Sequence, residues 1–294
     1  MSVIQTIAPV THDLGDFQVR RPLPARERTM VGPFIFVDQF GPGQLDIGKG
    51  MDVRPHPHIN LATVTWLFQG AVDHRDSVGS HATIRPGQVN LMTAGSGIVH
   101  SERSPQEERD AGAKLYGMQT WLALPDGQEE IDPAFESLTD LPIVESGGAT
   151  AQVIMGSLWG ATAPTTLYAD TIYADIVLDA GGALPIDSQA DERAVMLVGG
   201  EASIDGEPLG LYVLTVLKPG EAMTLRSTSG GRVMLLGGEA FATKRHVFWN
   251  FVSSSRDRIR QAKEDWREGR FAKVPGDELE WIPLPEQPIT VSYP

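Results

Sequence analysis

Hydrophobic and polar positions alternate over short distances along this chain, with the period of strands rather than of helices. β-branched, aromatic and aliphatic runs occupy 61–68 (LATVTWLF), 89–93 (VNLMT) and 116–124 (YGMQTWLAL). A second series follows at 151–155, 166–178, 194–198, 212–217, 222–225 and 233–236. Between the runs lie turn formers: Gln69-Gly70, Arg85-Pro86-Gly87, Ala94-Gly95-Ser96-Gly97, Gly199-Gly200 and Asp205-Gly206. A strand or a turn roughly every 8–12 residues is the rhythm of an all-β barrel or sandwich. Residues 17–24 (FQVRRPLP) predict a first strand and 33–40 (PFIFVDQF) a buried one, followed by a glycine-rich loop over 41–50. One long helix is expected over 254–269, capped by Ser253 or Ser254 and stopped at Gly269. Beyond it, 274–288 reads as an extended, proline-rich tail along a domain surface.

The polar stretch 125–140 reads as a linker, which divides the chain into an N-terminal domain over 1–134 and a C-terminal one over 135–294. The two halves share a rhythm, TWLFQG…RPGQV against VMLVGG…KPGEA, which points to a tandem duplication of one barrel. Composition narrows the function. A net charge of −14 argues against direct nucleic-acid binding or an anionic membrane surface, while leaving a protein partner open. The absence of cysteine excludes disulfides, iron–sulfur clusters and thiol nucleophiles. No run approaches the ~20 apolar residues of a membrane span, and no signal peptide is visible at the N-terminus, so the expected location is cytoplasmic. Arg20, Arg21, Arg26 and Arg28 form a small basic cluster, read as a face paired with nearby acids.

The chemistry concentrates in 54–102, which holds five of the seven histidines. His56 and His58 stand two apart around Pro57, and His100 and Glu102 two apart around Ser101. On a strand, residues i and i+2 share a face. A barrel can therefore bring both pairs to its interior as a set of three imidazoles and one carboxylate. That set suits iron, nickel, copper, manganese or zinc, with positions left for a substrate. His74 and His81 read as hydrogen-bonded hairpin histidines, His74 with Asp76 as a supporting pair near the barrel mouth, and His12 and His246 as non-functional. Trp66, Phe68, Met92, Met118 and Trp121 read as core, with Met92 and Met118 able to line a pocket beside the metal. The second half has no such cluster: its counterpart, LPIDSQADERAVMLVGG, contains no histidine.

RPHPH, LATVTWLFQG, HRDS and PGQVNLMTAGSGIVHSE, with the C-terminal VFWNFVSSSRDRI and IPLP, resemble the pirin family of the cupin superfamily. The resemblance implies a bicupin: two tandem double-stranded β-barrels of jelly-roll type, with a short C-terminal helix and metal only in the first barrel. It implies His56, His58, His100 and Glu102 as metal ligands. The position of the carboxylate ligand in many other cupins falls here at Ala62, which cannot ligate. It further implies one divalent ion, iron first, and quercetin 2,3-dioxygenase activity on a flavonol or related polyphenol with dioxygen. Glu102 would then be the catalytic base taking the substrate proton. The same family includes nuclear co-regulators, so a regulatory metal-binding protein with no turnover of its own is the alternative.

Overall fold

The computed structural model describes residues 2–13, 18–112, 114–187, 189–286 and 290–291. Phe17, expected to open the first strand, and Gln287 and Pro288 of the tail lie outside them; the strand itself runs Gln18–Leu23 and is preceded by Val3–Ile7 and Val10–Asp13. The architecture is mostly β. Its Cα packing resolves into two units, neither of them contiguous in sequence: residues 1–11, 20–39 and 140–241 in one, and 12–19, 40–139 and 242–294 in the other. The helix and tail thus fall in the same unit as the histidine-rich segment.

In the histidine-bearing unit a four-stranded antiparallel sheet is built from β1 (Asp52–His58), β2 (Val72–Asp76), β3 (His81–Ile84) and β4 (Ile98–Arg103), in the spatial order β1-β4-β2-β3. β1 is an edge strand, where the missing N–H groups of Pro55 and Pro57 are tolerated. The partner sheet places Ala134–Leu138, Val89–Thr93, Leu61–Gln69 and Lys114–Ala123 side by side. Ala134–Leu138 lies inside the stretch expected to be a linker. It pairs in register with Val89–Thr93, Phe135 opposite Met92; one aromatic and one leucine among polar residues is too weak an alternation to stand out in sequence.

Register assigns the faces of this larger sheet. Trp121 pairs with Thr63, Thr63 with Met92 and Met92 with Phe135, so the four share one face. Gln119, Thr65 and Asn90 continue that face one step along. Met118 pairs with Trp66 on the opposite face. Of the two methionines expected near a metal, Met92 alone shares the aromatic face, because Met118 is an odd number of residues from Trp121.

The helix runs Arg256–Arg267. Its cap is Ser255, whose Oγ accepts from the Arg258 amide at 3.3 Å, one residue beyond the expected caps. Ser254 is engaged elsewhere: its amide and hydroxyl both donate to the Glu129 carboxylate. Ile259 and Ala262 of the helix pack with Ile59 and Phe251 in a small apolar cluster.

The other unit repeats the plan with β5 (Ala183–Ile186), β6 (Ser203–Ile204), β7 (Glu207–Pro208) and β8 (Met223–Arg226), in the order β5-β8-β6-β7. Its larger sheet runs Val3–Ile7, Leu214–Leu217, Glu192–Gly200, Gly231–Gly238, Thr171–Leu178, Ala149–Met155, Ile143–Ser146. One aliphatic core joins the two sheets, with Leu184, Ile186, Ile204, Met223 and Leu225 against Val153, Ile176, Val195, Leu197, Val233 and Leu235. The basic cluster lies here and is largely paired: Arg21 donates twice to Asp38 at 2.7 and 2.6 Å, and Arg28 donates to Glu192 at 2.9 Å.

Candidate metal centre

β4 is an inner strand of its sheet, and its pairing sets the centre. His100 lies directly opposite His56 on β1, and Ile98 opposite His58. Three imidazoles therefore converge on one face. The ligand atoms of His56, His58 and His100 lie within 4.8 Å of one another, and all three residues are buried. Nε2 of His58 and Nε2 of His100 are 3.1 Å apart. His56 turns its Nδ1 to the Arg54 carbonyl at 2.9 Å, which directs its Nε2 the other way.

Burial is the chief reason these rings hold their protons weakly. It lowers His56 to about 4, against the Arg54 carbonyl, with His74 adding to the lowering. Burial also pulls His58 and His100 well below the ordinary imidazole range, reinforced at His58 by His56 and at His100 by His56, His58 and His74. Neutral imidazoles are the form that binds a metal ion, and three lone pairs converging in a protonation-resistant pocket fit one.

Glu102 is not part of the convergent trio among the described residues. The register slips between His100 and Glu102, leaving Glu102 opposite Val53 on β1 and opposite His74 on β2. Its side chain is buried and accepts a 2.7 Å hydrogen bond from Gln119 Nε2 at Oε1. Burial raises its pKa, opposed by His74 and by the Gln119 hydrogen bond.

The larger sheet closes the site. Trp121 meets His58 edge-on, ring centroids 5.0 Å apart at 81°. Phe135 stacks on His74 at 4.4 Å and 12°. His74 and Asp76 are buried inside the barrel, not at a surface hairpin, and His74 Nε2 lies 3.0 Å from Asp76 Oδ2. Burial pushes the Asp76 carboxyl up, but hydrogen bonds from His74 and Ser80 outweigh it and hold it below the ordinary range. His81 is exposed at the start of β3. Gln119 and Phe135 were not anticipated. A glutamine within an otherwise apolar strand was the available sign for the first; Phe135 was hidden in the presumed linker.

Fold and site together define a two-barrel cupin with a histidine centre in one barrel. The pirin family model matches residues 16–122 and the pirin C-terminal cupin domain matches 173–272. A pirin-like protein of Caulobacter vibrioides is 46% identical over 93% of this chain and 96% of its own length. A Pseudomonas aeruginosa protein provisionally named a quercetin 2,3-dioxygenase is 40% identical over 94% of this chain and 87% of its own length. The crystal structure of quercetin 2,3-dioxygenase from Acinetobacter baumannii superposes with a TM-score of 0.91 at 34% identity, covering 99% of this chain and 97% of that one. The chain belongs to the pirin family.

Proposed function

We propose that this protein is an iron-dependent dioxygenase of the cytoplasm that opens a flavonol such as quercetin with dioxygen. His56, His58, His100 and Glu102 hold the ion. The observation that carries this reading is the convergence of three buried, neutral imidazoles on one face of β1 and β4. The likeness to proteins named for the same reaction supports it. A bound divalent ion supplies Lewis acidity toward an enolic oxygen and one-electron chemistry toward dioxygen.

The remaining work falls to side chains. Glu102 takes the proton of the flavonol hydroxyl, its carboxylate made more basic by burial and held at one oxygen by Gln119. Trp121, Met92 and Phe135 offer flat apolar surface for an aromatic ring and keep bulk water off the reacting atoms.

Aerobic oxygen uptake with a flavonol panel, after iron loading and elemental analysis, tests the reading. Turnover of quercetin is expected in the wild type and its loss in Glu102→Ala and His56→Ala. Persistence in both variants sinks the assignment. A loaded ion with no turnover of any polyphenol gives the site to a regulatory metal-binding protein instead.

A further inference from the structure

We propose that Asp76 and His74 are positioning residues that hold His100 in the tautomer whose Nε2 lone pair faces the centre. The proposal rests on reading the histidine trio as a metal site, and it concerns two residues that are not ligands. Each ligand ring must carry its proton on the nitrogen turned away from the ion, so something must accept that proton. For His56 the Arg54 carbonyl does so. β4, which carries His100, is an inner strand with its backbone carbonyls committed to β1 and β2. The partner recorded for His100 Nδ1 is a side chain.

The geometry supplies one in two steps. Asp76 Oδ1 accepts from the backbone amides of Val78 and Ser80 at 3.0 and 2.9 Å, which pins the carboxylate to the hairpin turn. Its Oδ2 lies 3.0 Å from His74 Nε2. A carboxylate only accepts, so the His74 proton sits on Nε2 and its Nδ1 carries a lone pair. That Nδ1 lies 3.5 Å from His100 Nδ1. His100 donates there, and its Nε2 is left bare toward His58 Nε2 at 3.1 Å. Stacking on Phe135 keeps the His74 ring in plane for both contacts. Phe135 is thereby tied to the relay as well as to the pocket wall.

The relay has a direction, and one near-isosteric change reverses it. In Asp76→Asn the amide oxygen can keep the Val78 and Ser80 amides while the NH₂ donates to His74 Nε2. His74 then carries its proton on Nδ1 and donates to His100, whose own proton moves to Nε2 and blocks the lone pair. Nickel(II) titration of metal-free protein against a chromogenic chelator is expected to show affinity lowered about 10–100-fold in Asp76→Asn and in His74→Phe. Nitrogen-15 NMR of the metal-free protein reads the tautomer directly: protonated at Nδ1 of His100 in wild type, at Nε2 in Asp76→Asn.

Affinity within twofold of wild type in both variants, with the His100 tautomer unmoved, overturns the relay while leaving the centre intact. Lower affinity with a lower melting temperature and an unmoved tautomer also overturns it, as a packing effect. Equal nickel affinity in wild type and His56→Ala removes the centre itself, and the tautomer measurement then decides the relay on its own.

Discussion

The two four-stranded sheets have the same strand order and opposite contents. In β1 the motif is His56-Pro57-His58; in β5 it is Leu184-Pro185-Ile186, proline included. His100 on β4 pairs with His56, as Leu225 on β8 pairs with Leu184. Where Asp76 stands across from His100, Ile204 stands across from Leu225. The partner sheets follow suit, with Thr65 of TWLFQG matched by Val195 of VMLVGG. One barrel thus spends its interior on polar groups that are poor at stabilising a fold, and the other fills the same positions with close-packed aliphatic side chains. The lesson is a division of labour: a barrel interior can be a site or a core, and duplication lets one chain have both.

Matched substitutions should separate the two roles, the largest effects coming from the ligand positions. His58→Ala is expected to weaken nickel(II) binding by more than the ~100-fold ceiling for loss of a supporting residue, with only a small change in the melting temperature of the metal-free protein. Its counterpart Ile186→Ala should leave metal binding untouched and cost about 2–5 kcal/mol in denaturant unfolding, as a cavity in a packed core does. A metal affinity that falls equally in both would break the comparison.

Exchanging the contents gives the next effect. Leu225→His places an imidazole in a core whose described side chains are all apolar, at a cost of about 1–3 kcal/mol beyond the lost packing. The reverse change, His100→Leu, should abolish metal binding yet leave the metal-free protein as stable as wild type or more so, since it removes a polar group from an interior. Chemical denaturation of the two metal-free variants checks both signs.

Much of this division was legible in the residues. His-Pro-His and His-Ser-Glu carried the i, i+2 spacing that puts a pair on one face, and Leu-Pro-Ile showed that the second half had lost it. Three things were hidden, for physical reasons. The Pro-Gly turns looked equivalent, but Pro86-Gly87 leads into Val89–Thr93 whereas Pro219-Gly220 leads out of Leu214–Leu217 into β8; local turn chemistry does not report strand order. The slip that offsets Glu102 from β1 depends on pairing between strands far apart in sequence. The burial of His74 depends on Phe135, from a strand whose polar composition resembled a linker.

The smallest effect tests how the outer end of β4 is held, where the two sheets again differ. β8 ends at the exposed Arg226, whereas Arg103 at the end of β4 donates to Asp277 at two oxygens, 2.9 Å each, and to Glu280 at 2.8 Å in the C-terminal tail. Burial pushes the Asp277 carboxyl up, but the Arg103 hydrogen bond and charge, with Ser101 and Arg75, outweigh it and leave it below the ordinary carboxylate range. A depressed folded-state value stabilises the fold above the unfolded pKa of about 4, and that contribution is lost as pH falls through the folded value. The pair is partly exposed, so the contribution is about 1 kcal/mol or less. Asp277→Asn should therefore melt lower than wild type near neutrality, and the gap should close in acid below about pH 4. It should also narrow with added salt, as a screened pair does. A gap that stays constant from neutral to acid pH would mean that the tail is held on β4 by packing, and that the charge on Asp277 contributes nothing to the difference between the two sheets.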